Sequence, residues 1–117
     1  MDDRIEIDFI PSNSIRMLTN RAITIKRGIG RACRLDSTIN ATHLIIGTTE
    51  RPADIDDFTI INLEGPRSSI VVHGRIGLNV VIMVPRGSIE IAAGSILDPS
   101  VTDNMQAQVI IRKDLRA

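Results

Sequence analysis

The residues of this chain best suited to chemistry form a basic run, Lys26-Arg27-Gly28-Ile29-Gly30-Arg31, with Arg34 three positions beyond it and Arg21 five before it. Guanidinium groups grip carboxylate and phosphate oxygens as two-pronged donors, and glycine lets backbone N–H groups approach an oxyanion closely. Anion recognition is therefore the chemistry the segment offers. The run lacks the Lys-Ser/Thr ending of a phosphate-binding P-loop and the third glycine of a dinucleotide fingerprint, and its setting predicts a hairpin instead of the start of a helix. A later echo, Arg75-Ile76-Gly77-Leu78, keeps the glycine and loses most of the charge. The glycine is thus expected to serve a turn, with the basic residues solvated or paired to acids.

An acidic group follows, Asp54-Ile55-Asp56-Asp57 with Glu50 nearby. It supplies oxygen ligands but not the glycine and terminal bidentate Glu of a twelve-residue calcium loop. These acids are read as a partner surface, and Asp98 and Asp103 in the related later loop as turn caps. His43, His73 and Cys33 could in principle supply a base and a nucleophile. No nucleophile turn surrounds them and no Asp is placed to orient a base, so no catalytic residue is assigned. One thiol and two imidazoles cannot complete a four-ligand zinc site, and neither a metal nor a cofactor is expected. Asn40-Ala41-Thr42 matches a glycosylation sequon, which has no consequence without export.

Composition narrows the classes further. At 117 residues the chain is read as a single β-rich domain, 1–117. No apolar run approaches the roughly 20 residues of a membrane-spanning helix. Met1-Asp2-Asp3-Arg4 has no basic start and no apolar stretch, so no export signal is read, and a cytoplasmic or virion-associated setting is most compatible. With Phe9 and Phe58 as the only aromatic residues besides histidine, stacking platforms for bases or sugars are missing, which disfavours nucleic acid. Twelve of the fourteen basic residues are Arg, a choice suited to fixed, bidentate pairing.

The elements that must position these residues read as strands. Isoleucine alternates with polar neighbours in 4–8, 22–26 and 88–91, the period of two that a half-buried strand requires. Further strands are expected at 14–18, 32–35, 43–46, 58–63, 69–73, 80–84 and 107–112, about ten in all, separated by glycine and proline turns. Sliding the chain by 47 residues pairs Ile23 with Ile70, Ile29 with Ile76, Gly30 with Gly77, Gly47 with Gly94, Pro52 with Pro99 and Asp56 with Asp103. Apolar character is also kept at Ile25 with Val72, Cys33 with Val80 and Leu35 with Ile82. Possible internal repeats therefore span 22–67 and 69–115. The expected fold is all-β: a sandwich, a barrel or a short β-solenoid, with two pseudo-symmetric halves that cover each other.

Charge is segregated although it sums to zero. Residues 1–8 carry −3, 9–34 carry +6, 35–66 carry −5 and 67–117 carry +2. Such blocks can neutralise one another within the fold or between copies. The phrase Gly74-Arg75-Ile76-Gly77-Leu78-Asn79-Val80-Val81-Ile82-Met83-Val84-Pro85, echoed by 27–35, resembles the Gly-Ile-Gly, strand, Pro rhythm of the C-terminal domains of bacterial cell-wall-stress response proteins. Leu78 and Arg31 stand where that rhythm usually has an acid. The short Ile-rich strands are similar to those of bactofilin-like polymerising solenoids, without a shared motif. No functional residue is carried over from either.

These observations point to a non-enzymatic structural or protein-interaction module, a homo-oligomer or one half of a protein pair, associating through sheet edges and segregated charge. In it the arginines of 16–34 and the acids of 50–57 select the partner. One alternative is small-anion or nucleic-acid binding through the basic 16–34 segment by Arg21, Lys26, Arg27, Arg31 and Arg34. Another, implied by the first resemblance, is a cell-envelope-stress regulatory domain.

Overall fold

A computed structural model describes residues 3–77, 79–84, 86–91, 102–104 and 108–111. The described residues contain strands and no helix. In chain order the strands are β1 (Arg4–Ile7), β2 (Ile15–Met17), β3 (Ala22–Ile25), β4 (Gly28–Ile29), β5 (Arg34–Ser37), β6 (His43–Ile46), β7 (Asp54–Ile55), β8 (Ile60–Leu63), β9 (Ser69–Val72), β10 (Val81–Met83), β11 (Ser88–Ile91), β12 (Thr102–Asn104) and β13 (Gln108–Ile111).

From β1 to β11, successive strands do not pair with each other as hairpins would. The first sheet runs β1-β3-β6-β9-β11, all parallel, and the second carries the parallel series β2-β5-β8-β10. A third, short face holds β4 beside β7, extended by single bridges from Ile10 to Ile29 and from Ile55 to Ile76. The chain thus visits three faces in turn and comes back one strand further along. The hairpin expected for the Gly28–Gly30 segment is absent: Gly28-Ile29 is a strand of the third face, parallel to Asp54-Ile55. Among the described strands the direction reverses at the far edge of the second sheet, where β13 pairs antiparallel with β10 and β12 with β13.

Alternation decides what faces inward. In β3, β8 and β9 every second residue is buried and the others are half-buried, and β6 alternates in the same way with His43 exposed. Because the strands are in register, the inward side chains stack in columns: Ile23, Leu44 and Ile70; Ile25, Ile46 and Val72; Ile29, Ile55 and Ile76; Leu35, Ile61 and Ile82. All are 0–1% exposed. Each such burial contributes about 1.5–3 kcal/mol, and β-branched side chains suit the pleated surface. Ser37, Thr42, Thr59 and Ser68 are the polar intruders among the described residues: the Ser37 and Thr42 hydroxyls satisfy each other at 2.7 Å, Thr59 Oγ1 donates to Gly30 O at 2.9 Å and Ser68 Oγ accepts from Thr42 N at 3.1 Å.

The register also explains the offset of 47 residues. Ala22 pairs with His43, 21 residues on, and His43 with Ser69, a further 26, so the offset covers two circuits of unequal length. The longer step includes the loop 47–53, closed by a bridge between Gly47 and Pro52. Hence Ile23 and Ile70 share a column with Leu44 between them, where two face-to-face halves had been expected. Gly94 and Pro99 lie outside the described residues, as do 78, 85, 92–101, 105–107 and 112–115 of the second span.

One corner recurs with the same backbone. Asn13, Ala32, Phe58 and Asn79 all have positive φ, between 56° and 64°, and each stands two residues before a strand of the second sheet. Left-handed geometry there turns the chain from the third face onto the second. Asn tolerates it, whereas an ordinary side chain costs about 1–2 kcal/mol.

Two outcomes are expected. Ile82→Asp, which buries an unpaired charge in a fully enclosed column, should cost several kcal/mol against a total of about 5–15 and abolish the cooperative melt, while Arg86→Asp on the exposed surface should melt near wild type. Ala32→Gly, relieving the left-handed corner, should raise the midpoint of thermal unfolding by a few degrees, less the entropy glycine adds to the unfolded chain. An unchanged or lower midpoint would show that the corner is unstrained.

Candidate functional site

The basic segment lies along the corner where the chain leaves the first sheet for the third face. Its backbone is not open to a ligand. Lys26 N donates to Ile7 O (2.8 Å), Arg27 N to Asp8 O (2.8 Å), Gly30 N to Ile10 O (2.8 Å) and Ala32 N to Asp57 O (2.8 Å), while Arg31 N donates to Ser12 Oγ (3.0 Å). The donors that an oxyanion cradle would need are spent on neighbouring circuits. Gly28 is required by crowding: at φ 113° a Cβ there would sit 2.5 Å from Asp54 O.

The side chains of the five basic candidates go to separate places. Lys26 Nζ pairs with Glu6 at 3.1 Å. Arg27 forms a two-pronged pair with Asp8, Nε donating to Oδ1 at 3.0 Å and Nη2 to Oδ2 at 2.6 Å. These four residues, with Thr24, Thr48 and Arg51, line a groove of about 440 Å³. Arg34 pairs with Asp36 along its own strand at 2.9 Å. The Arg31 guanidinium lies 4.9 Å from the centre of the Phe58 ring, a cation–π contact at the left-handed corner. Arg21 lines a second groove of about 440 Å³ together with Asp3, Thr19, Ile39, Asn40, Ala41 and Arg67.

The acidic candidates are likewise dispersed. Asp54 Oδ1 accepts from Arg75 N at 2.9 Å, and Asp56 Oδ1 accepts from Asp57 N at 2.7 Å, so both fasten corners. Glu50 is exposed on the loop 47–53. Among the described residues no three His, Cys, Asp or Glu side chains converge as metal ligands would. Cys33 is buried, with Sγ 3.0 Å from Pro11 O, and His73 stands on a different face. His43 instead meets Ser69, Nδ1 to Oγ 2.7 Å, on the outward face of the first sheet. That pair is exposed, and it holds two neighbouring strands together.

Sequence reasoning did not foresee the partners Glu6, Asp8 and Asp36. The signal for the first two was available in the spacing: Glu6 and Lys26 are 20 residues apart and Asp8 and Arg27 are 19, about one circuit. A second feature it missed is the free edge of β1. Among the described residues no strand lies beyond β1 in the first sheet, and its inward residues Ile5 and Ile7 are only partly buried. The corresponding edge of the second sheet, β2, has Arg16 at the position where Leu35, Ile61 and Ile82 are buried. Arg16 is exposed there.

Comparison with protein-family models, with curated proteins and with solved structures finds no match to this chain.

The Arg27 hydrogen bonds hold the Asp8 carboxyl below the ordinary carboxylate range, and Asp8 in turn raises Arg27. A carboxylate depressed in the folded state adds stability that is present above its unfolded pKa and fades as pH falls through the folded one. Both groups are exposed, so the effect on stability is small. NMR titration of the side-chain carboxyl should place the Asp8 midpoint below 3.8, and Arg27→Ala should return it to the ordinary range. A midpoint unaffected by that substitution would mean that the pair does not form in solution.

Proposed function

We propose that this chain is a non-enzymatic structural or protein-interaction module, a short β-solenoid that self-associates through a sheet edge aided by segregated charge. The observation that carries this reading is the β1 edge, which has Ile5 and Ile7 half-covered and a row of backbone groups with no strand beside it among the described residues. An edge of that kind recruits another strand, because pairing satisfies N–H and C=O groups and covers apolar side chains together. No helix of the described residues is long and apolar enough to cross a membrane.

Charge assists less than its segregation along the chain implied. The block 1–8 meets the block 9–34 inside the fold, through Lys26 with Glu6 and Arg27 with Asp8. The edge itself exposes Arg4, Glu6 and Asp8, of which the two acids are already engaged with Lys26 and Arg27.

A second reading, small-anion binding, is favoured by one observation. Arg21 and Arg67 line the same groove, and neither guanidinium has an acidic partner among the described residues. Asp3 in the same wall accepts from Asn20 Nδ2 and Arg21 N and opposes an anion. Titration with inorganic phosphate monitored by calorimetry tests this reading, and heat that vanishes in Arg21→Ala would favour it.

Light scattering at low salt and high protein concentration should find a species heavier than the monomer. Raising salt several-fold should shift the distribution toward monomer, since charges at an exposed edge are screened over about 8–10 Å at physiological ionic strength. A monomer at every salt and concentration would refute self-association.

A further inference from the structure

The outward faces of the two parallel sheets differ in character. Register neighbours point the same way, so with Leu35, Ile61 and Ile82 buried inside, the outward face of the second sheet carries Ile15 and Met17, Arg34 and Asp36, Ile60 and Asn62, and Val81 and Met83. Five of these eight are apolar, whereas the outward face of the first sheet carries Arg4, Glu6, Thr24, His43 and Ser69. Ile15 and Met17 are 83% and 56% exposed. We propose that this face of the second sheet packs on the same face of a second copy, with the strands of the two copies antiparallel, about a two-fold axis that crosses β5 at Leu35. Self-association is shared with the edge reading above; the surface is not.

The ion pair in the middle of this apolar face selects its occupant. Arg34 Nε donates to Asp36 Oδ2 at 2.9 Å, a single-pronged contact that leaves both Nη groups and Oδ1 without a partner among the described residues. Sheets packed face to face lie about 10 Å apart, a gap that an arginine side chain reaches across. The two-fold axis at Leu35 sets Arg34 over Asp36 of the second copy, and Asp36 over its Arg34. Four charges then alternate around a ring, each keeping the partner it has and gaining one across the interface through atoms that are unspent. Beside the ring, Ile15 falls over Met17 and Val81 over Met83, each twice by symmetry. Ile60 over Asn62 is the one mixed pair. Axes parallel to the strands would lay Arg34 on Ile60, on Ile15 or on a second Arg34, covering a charge without pairing it.

The patch continues past the strands. Phe58, 42% exposed, stands two residues before Ile60 with the buried Thr59 between them, which puts its ring on the same side, against the Arg31 guanidinium. Of the four large apolar side chains exposed among the described residues, Ile15, Met17 and Phe58 therefore share this face, and Phe9 does not. An apolar patch rimmed by polar groups marks an interaction surface. A patch that is self-complementary in charge favours a second copy over an unrelated apolar surface, because only a partner with the opposite charges in the matching places pairs Arg34 and Asp36 as it covers them.

Analytical ultracentrifugation over a concentration series tests the proposal, with thermal melts to show that each variant folds. The native chain should form dimers. Met17→Lys, at an exposed position, should weaken the dimer about tenfold or more, whereas Ile5→Lys at the β1 edge should change it less than about twofold. Arg34→Asp and Asp36→Arg, each of which sets like charges across the axis, should each self-associate about tenfold more weakly than the native chain. Mixed together, these two variants should pair with each other, since every contact across the ring is then between opposite charges. A dimer that Met17→Lys leaves unchanged would overturn the face, and its loss in Ile5→Lys would then place association at the β1 edge. Charge variants that melt near wild type and do not pair when mixed would overturn the two-fold arrangement. A native chain that stays monomeric at every concentration would sink this proposal and the edge reading together.

Discussion

Backbone hydrogen bonding between parallel strands of successive circuits is the interaction from which the rest of this structure follows. A parallel strand cannot be reached by a two-residue turn, so the chain must travel a dozen residues or more before it pairs again. Here that journey is itself made of strands. Each circuit crosses the other two faces before returning, and every face gains one strand. Register is then inherited, because an inward residue in one circuit fixes the inward position in the next. Isoleucine, valine and leucine fill those positions, and Ile25, Leu35, Leu44, Ile46, Ile55, Ile61, Ile70 and Ile82 have no solvent exposure.

Stacking circuits this closely determines what the corners can contain. A Cβ on Gly28 would meet Asp54 O of the next circuit, and the Asp54 carboxylate in turn fastens Arg75 N one circuit further on. The corner before the second sheet is left-handed four times, in residues as different as Asn13, Ala32, Phe58 and Asn79. Tertiary register imposes the conformation where local preference would not choose it. At Phe58 the exposed ring is partly compensated by the Arg31 guanidinium above it.

The same stacking uses much of the charge that marks the chain as a possible binder. Residues about one circuit apart in sequence are neighbours in space, so acids of the first circuit meet bases of the second. Exposed ion pairs of this kind add little stability, but they remove free charge from the surface and hold long side chains across strands. Among the described residues the first sheet ends at β1 and at β11, where Ile5, Ile7 and Ile89 are only partly buried.

The sequence by itself determined the strands and their inward faces. Period-two alternation located β1, β3, β6, β9 and β11 to within a residue, since alternation reports burial on one face whatever lies next to it. It missed Gly28-Ile29 and Asp54-Ile55, where two residues are too few to show a period and glycine and aspartate signal turns. Pairing was decided only by the tertiary structure. Alternating strands with glycine between them fit hairpins and parallel coils equally well, and the choice depends on whether circuits of 21 and 26 residues can stack with their apolar columns aligned. The dispersal of Arg21, Lys26, Arg27, Arg31 and Arg34 was beyond the sequence for the same reason. Neighbours in a basic run become neighbours in space only if the chain turns back on itself locally, and here it turns back a full circuit away.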